Sequence, residues 1–305
     1  MSVILSSKAQ LEHALKPYYK QGARIGFVPT MGALHAGHCS LMHAAKTAND
    51  VVVLSIFVNP RQFNDSSDFD KYPRTLTADI ECAEQEGVDF IYLPIYDELF
   101  AGHSVASEVA LNGLDASMEG ASRPGHFRGV VEVVYALFDH VKPSNAYFGQ
   151  KDFQQLAIIR AMVSSLKLTV SIVSCPTLRE ADGLAMSSRN GFILPQERPN
   201  AVVLYQSLRW AAEQVIAGER DFAALETQAK ARIQAAGFRP DYLDALSVAP
   251  RVTKMKENKA AIAGTWGTEF PSIIAPRDDE LIITKQCVNP FFNTGLMTWL
   301  LHRNV

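Results

Sequence analysis

Two imidazoles three residues apart, where a strand gives way to a helix, can hold a phosphate, and His35 and His38 stand in that relation. Upstream, Arg24-Ile25-Gly26-Phe27-Val28 is a short apolar run of strand type; downstream, Leu41, Met42, Ala44, Ala45 and Ala48 recur at helical spacing. Within Met31-Gly32-Ala33-Leu34-His35-Ala36-Gly37-His38, Gly32 to Gly37 is therefore the turn between them. A helix N-terminus presents unpaired N–H groups and the positive end of the macrodipole, and Gly32 and Gly37 let a large anion approach the backbone. Histidines at i and i+3 point the same way and can donate to phosphate oxygens. The pair could instead be a helix cap beside a surface residue, or half of a zinc site. Zinc needs further ligands, and a strand-turn-helix context favours a nucleotide.

Four other loop clusters carry chemistry. Asn59-Pro60-Arg61-Gln62-Phe63 supplies amides suited to hydroxyl and carboxylate groups, and Tyr72-Pro73-Arg74-Thr75-Leu76 lies in the next connection. Gly149-Gln150-Lys151-Asp152-Phe153-Gln154-Gln155 sets an ammonium at a helix start, beside an acid that could hold a metal and an amide that could hold a substrate. Met186-Ser187-Ser188-Arg189-Asn190 offers two hydroxyls and a guanidinium, a good phosphate clamp. Singly, Lys151 could be solvated, Arg189 paired with an acid, Asp152 a helix cap and Gln62 a turn residue. Their joint placement where strands end points to a triphosphate site.

The elements that must position these loops alternate between strand and helix. Strands are expected at Val51 to Val58, Val88 to Leu93, Asn145 to Gly149 and Val170 to Cys175. Helices are expected at Thr77 to Glu86, stopped by Gly87, at Val130 to His140, and from about Phe153 to Ser165. This is the pattern of an α/β fold, a Rossmann-like doubly wound parallel sheet, which binds ligands beyond the carboxyl ends of its strands. The pattern shifts near Gly191 to Pro199, so a first domain is expected over 1–190. A smaller α+β domain is expected over 191–305, with helices at Ala201 to Ala217 and Phe222 to Ala236 and a strand at Tyr242 to Val248.

At 305 residues the chain is long enough for a large packed core, and its formal net charge of −3 argues against a broad nucleic-acid footprint. Cys39, Cys82, Cys175 and Cys287 are scattered and read as reduced, packed thiols of a cytoplasmic protein. Met1 to Leu15 shows no secretory leader, and Val51 to Val58, the strongest apolar run, is too short to span a membrane.

The ordered set of loops resembles the pantothenate synthetases, the pantoate–beta-alanine ligase family within the HxGH nucleotidylyltransferases. The resemblance rests on Pro29 to Gly32 with His35 and His38, Phe57 to Pro60 with Gln62-Phe63, and Tyr72 to Thr75. It continues through Arg123-Pro124-Gly125-His126-Phe127-Arg128-Gly129-Val130, Phe148 to Leu156 and Arg179 to Asn190, covering roughly Leu5 to Tyr242. It implies a cytoplasmic homodimer that condenses pantoate, ATP and beta-alanine through pantoyl adenylate, releasing pyrophosphate and AMP. Met31 to His38, Gly149 to Asp152, Leu178 and Met186 to Arg189 would hold ATP, with His38 as proton donor and His35 its partner. Lys151, Ser187, Ser188 and Arg189 would support catalysis, and Gln62, Gln155 and Asn59 would hold substrate. Mg²⁺ would bridge phosphates, helped by Asp79 or Asp152. Two alternatives stand beside this reading: a related transferase acting on a phosphorylated acceptor, and a non-catalytic nucleotide-binding module. Gln150 stands where many relatives have Glu, Glu132 where a small polar residue is usual, and the tail after about Arg251 matches no usual family ending.

Overall fold

The computed structural model describes residues 1–102, 104–240, 281–285, 288–289, 292–293 and 297–301. The strand expected at Tyr242 to Val248, most of the atypical tail and Cys287 lie outside the described residues. Contacts divide the chain into two compact units, one of Met1–Gly149 with Ile158–Leu178, the other of Gln150–Ala157 with Arg179–Val305.

The first unit is built on a six-stranded sheet: β1 Val3–Leu5, β2 Ile25–Thr30, β3 Val51–Ile56, β4 Phe90–Tyr92, β5 Asn145–Gly149 and β6 Ser171–Cys175. Every pairing is parallel, in the order β1-β4-β3-β2-β5-β6. From β2 the chain winds outward through β3 to β4, then returns to the other side of β2 for β5 and β6. That reversal is the doubly wound arrangement, and its switch point falls between β2 and β5. Phe27, Val28 and Val51 to Leu54 are almost wholly buried, as strands covered on both faces must be.

Helices supply the cover: α1 Lys8–Lys20, α2 Ala36–Ala48, the short α3 Ser66–Lys71, α4 Leu76–Gln85, the single turns α5 Tyr96–Leu99 and α6 Met118–Ser122, α7 His126–Val141 and α8 Phe153–Ser165. The largest apolar stripe belongs to α7, which buries Val130, Val131, Val134, Leu137, Phe138 and Val141 and starts one turn before the expected Val130. A reciprocal cap between Ser7 and Gln10 starts α1. Neither β1 nor α1 was evident in the sequence. Only Leu5 of β1 is buried, while α1 buries just Leu11 and Leu15 and carries Pro17 in its last turn.

In the second unit α10 Val203–Ile216 and α11 Phe222–Ala235 pack around Leu208, Ala212, Val215 and Leu225, while Ala201 of α9 Arg198–Ala201 packs with Leu184 and Val202. Short antiparallel pairs follow, β7 Leu281–Lys285 with β10 Met297–Leu301, and β8 Val288–Asn289 with β9 Phe292–Asn293. Among the described residues no helix is long and apolar enough to cross a membrane.

Candidate active site

The loop after β2 is shaped from beneath. Gly32 has φ +80°, and a Cβ there would come within 2.9 Å of Asp79 Oδ2 and 3.0 Å of Ile56 Cγ2, so only glycine fits without movement. Ala33 follows at φ +49°, a left-handed conformation that a side chain rarely adopts. The strained turn is held by Asp79 of α4, whose Oδ2 accepts the Ala33 N–H at 3.0 Å and whose Oδ1 accepts the Leu34 N–H at 2.7 Å. The Thr75 hydroxyl donates to the same carboxylate at 3.1 Å. Asp79, expected as a candidate metal ligand, is only 2% exposed, and both its oxygens accept hydrogen bonds from the loop and its helix start. Asp79→Asn sets an amide against one of those N–H groups and is expected to cost about 2 kcal/mol of stability, read as a lower urea midpoint with unchanged slope.

The histidines cap α2 reciprocally. His35 is the N-cap residue, its Nδ1 accepting the Gly37 N–H at 3.1 Å, while His38 Nδ1 accepts the His35 N–H at 3.2 Å. The helix-cap use and the phosphate-binding use of this pair are therefore compatible. With both Nδ1 atoms acting as acceptors, the proton of each neutral ring is confined to Nε2. The rings lie 4.1 Å apart between centroids and tilt by 43°, so two Nε2 donors stand at one helix start.

The turn after β3 is built against α7. Asn59 caps it, accepting the Arg61 N–H at 3.2 Å, and donates to the Gly129 carbonyl at 3.2 Å and to Gln62 Oε1 at 3.3 Å. Only 1% of Asn59, expected among the substrate-binding residues, is exposed, and its amide helps to orient Gln62. Gly129 must be glycine, since a Cβ there would lie 2.3 Å from the Arg61 carbonyl oxygen. Gln62 Nε2 lies 2.9 Å from Met31 Sδ, tying this turn to the loop after β2. The Gln62 carbonyl accepts from Arg123 at 3.0 Å and from His126 Nδ1 at 2.7 Å, which places the His126 proton on Nδ1. Arg123 is in turn paired with the buried Glu119 at 2.9 Å. These holders of Gln62 were quoted in the sequence but given no task, because nothing in their spacing shows what carbonyl they face. Glu132 pairs with Arg61 at 2.8 Å, and the Arg61 guanidinium lies 4.0 Å over the Phe100 ring, which accounts for a charge in an otherwise apolar helix.

In the second unit, Lys151 lies 3.8 Å from Asp152, and their side chains are 19% and 43% exposed. Gln155 is half-buried, and Gln154 beside it is buried. The Arg179–Asn190 loop is closed by a bridge between Arg179 and Ala185. Its acids are paired: Arg198 meets Glu180 at 2.6 Å and Asp182 at 2.7 Å, and Asn190 donates to Glu180 at 2.6 Å. The Leu184 N–H, with Arg198 beside it, holds the Asp182 carboxyl below the usual carboxylate range. Burial lowers the Arg179 pKa, opposed by Tyr205, whose ring lies 4.2 Å from the guanidinium. Ser187, Ser188 and Arg189 lie in the same loop, each partly buried. Ser187 Oγ accepts the Arg189 N–H at 3.3 Å, and Leu178, in the first unit, is 41% exposed.

A doubly wound sheet whose switch-point loop carries HxGH defines a Rossmann-type nucleotide enzyme. A family model described as pantoate-beta-alanine ligase matches residues 3–268, and the chain belongs to that family. A pantothenate synthetase of Pseudomonas putida is 50% identical over 236 residues, covering 76% of this chain and 82% of its own. Another, from Pseudomonas fluorescens, is 47% identical over 263 residues, covering 85% and 92%. Among solved structures, the Thermus thermophilus pantothenate synthetase superposes with a TM-score of 0.73 at 41% identity, covering 79% of this chain and 86% of its own. The pantoate-beta-alanine ligase of Francisella tularensis, solved in complex with beta-gamma ATP and beta-alanine, gives 0.70 at 37% identity and covers 80% and 89%.

Proposed function

We propose that this ligase joins pantoate to beta-alanine in two steps, with ATP as co-substrate. The pantoate carboxylate attacks the α-phosphate and pyrophosphate leaves; the beta-alanine amine then attacks the acyl adenylate, forming the amide and releasing AMP. The observation that carries this reading is the reciprocal histidine cap, which fixes two Nε2–H donors at a helix N-terminus beside a switch point. Bringing a carboxylate to a phosphate joins two anions, so fixed donors and cations must offset the repulsion and stabilise charge on the departing pyrophosphate. Met31 to His38, Gly149 to Asp152, Leu178 and Met186 to Arg189 are assigned to ATP, with His38 as proton donor and Lys151, Ser187, Ser188 and Arg189 supporting the charge. Gln62 and Gln155 are assigned to pantoate, where an amide left unpaired would penalise an acid lacking the matching hydroxyls.

Among the described residues no three His, Cys, Asp or Glu side chains cluster to bind a metal. Mg²⁺ would be held mainly by phosphate oxygens and water, with Asp79 and Asp152 as candidate carboxylates, and would neutralise phosphate charge. A cytoplasmic setting suits the free thiols Cys39, Cys82 and Cys175, and the family resemblance assigns a homodimer. Supplying ATP, pantoate and beta-alanine and omitting each in turn tests the reading. AMP release should need both acids, and the product should have the mass of their amide; ATP turnover independent of both would overturn it.

A further inference from the structure

Cys39 and Cys82 are far apart in sequence but their sulfurs approach to 3.0 Å. Cys39 directly follows His38 on α2, and Cys82 lies one turn beyond Asp79 on α4, on the same side of that helix. Each is partly buried, packed against the cluster of Leu41, Met42, Ala45 and Ala83. The two elements that shape the nucleotide loop, the histidine cap and the Asp79 carboxylate, are therefore joined through this sulfur contact.

We propose that Cys39 and Cys82 are an oxidative modification site, at which a small-molecule disulfide converts the two thiols to an intramolecular cystine that displaces the nucleotide loop. The sulfurs need only about 1 Å of further approach to reach the ~2.05 Å bond. Burial, then the hydrogen bond with Cys39, push the Cys82 thiol up to about 12, with Glu86 and Asp79 of its own helix adding to the effect. Cys82 is thereby disfavoured as the first thiolate, and in the proposed order Cys39 attacks first. Its thiolate breaks the small disulfide, expelling one small thiol and forming a mixed disulfide. The Cys82 sulfur then loses its proton to solvent, attacks Cys39 Sγ and expels the second small thiol. Two protein thiols are oxidised and one disulfide is reduced to two thiols. Closure draws the start of α2 toward α4, and a 1 Å displacement of a positioned group is enough to slow a reaction about 10²-fold.

The activity effect rests on the proposed role of the loop, whereas the crosslink itself is read by mass alone, so the two can fail separately. The full chain is incubated with oxidised glutathione, alkylated and mapped as unreduced peptides while ligation is assayed. Expected are a Cys39–Cys82 peptide short of two hydrogens, a parallel loss of activity of at least ~10-fold, and recovery with dithiothreitol. Cys39→Ala should keep its starting activity and become insensitive to the oxidant. Cys82→Ala should keep it too, and accumulate the glutathione adduct on Cys39. A parent protein that never forms the link, a first adduct on Cys82, or a linked enzyme with full activity would overturn the proposal.

Discussion

His38→Ala lowers the rate of pantoyl adenylate formation by about 10²–10⁴-fold, the range that one positioned proton donor contributes. The structure makes this ring hard to replace. Its Nδ1 is committed to the His35 N–H, so only Nε2 carries the proton and its direction is set by the helix start. Alanine removes the donor and one arm of the reciprocal cap together. The lost cap is worth about 1 kcal/mol, far less than the catalytic loss, so the two effects separate by measurement. Rapid-quench pyrophosphate release with saturating ATP and pantoate reads the chemistry, and thermal melting reads the cap. His38→Gln, which restores an amide donor at similar reach, should recover part of the rate. Unchanged adenylation in His38→Ala would remove His38 from the mechanism and leave it a capping residue.

How much of this was legible in the sequence depends on whether a property is local. The strands Asn145–Gly149 and Ser171–Cys175 and the helix α4 follow from apolar runs and Gly87, and they stand within a residue or so of where the sequence puts them. The edge strand β1 escapes because a half-exposed strand of three residues has no pattern to detect. The His35–His38 spacing announces a helix start. It does not announce that the rings cap each other, since that depends on backbone N–H directions. Asp79 and Asn59 look like ligands in a list of polar loop residues, yet both are buried beneath the residues they position. Burial of a polar group is decided by tertiary packing, and the chain offers no periodic signal for it. The Cys39–Cys82 contact and the Glu132–Arg61 pair are long-range meetings of the same kind.

Lys151→Ala is expected to lower adenylate formation by about 10²–10³-fold, the loss that follows removal of one preorganised donor at developing charge. The stability change should stay within about 0.5 kcal/mol. Lys151 follows the last residue of β5 by two positions, and Asp152, 3.8 Å away, is 43% exposed. A partly exposed pair at that distance contributes little to folding, so under the proposed role the loss falls on charge at the substrate. Lys151→Arg discriminates further. A planar guanidinium spreads its charge and fixes donor directions differently from a compact ammonium, so it should restore ATP binding more than it restores the rate. Measuring KM for ATP and kcat separately, with melting temperature alongside, distinguishes these roles. A collapse of the melting temperature in Lys151→Ala would make the residue structural, whereas a purely raised KM would confine it to holding ATP in the ground state.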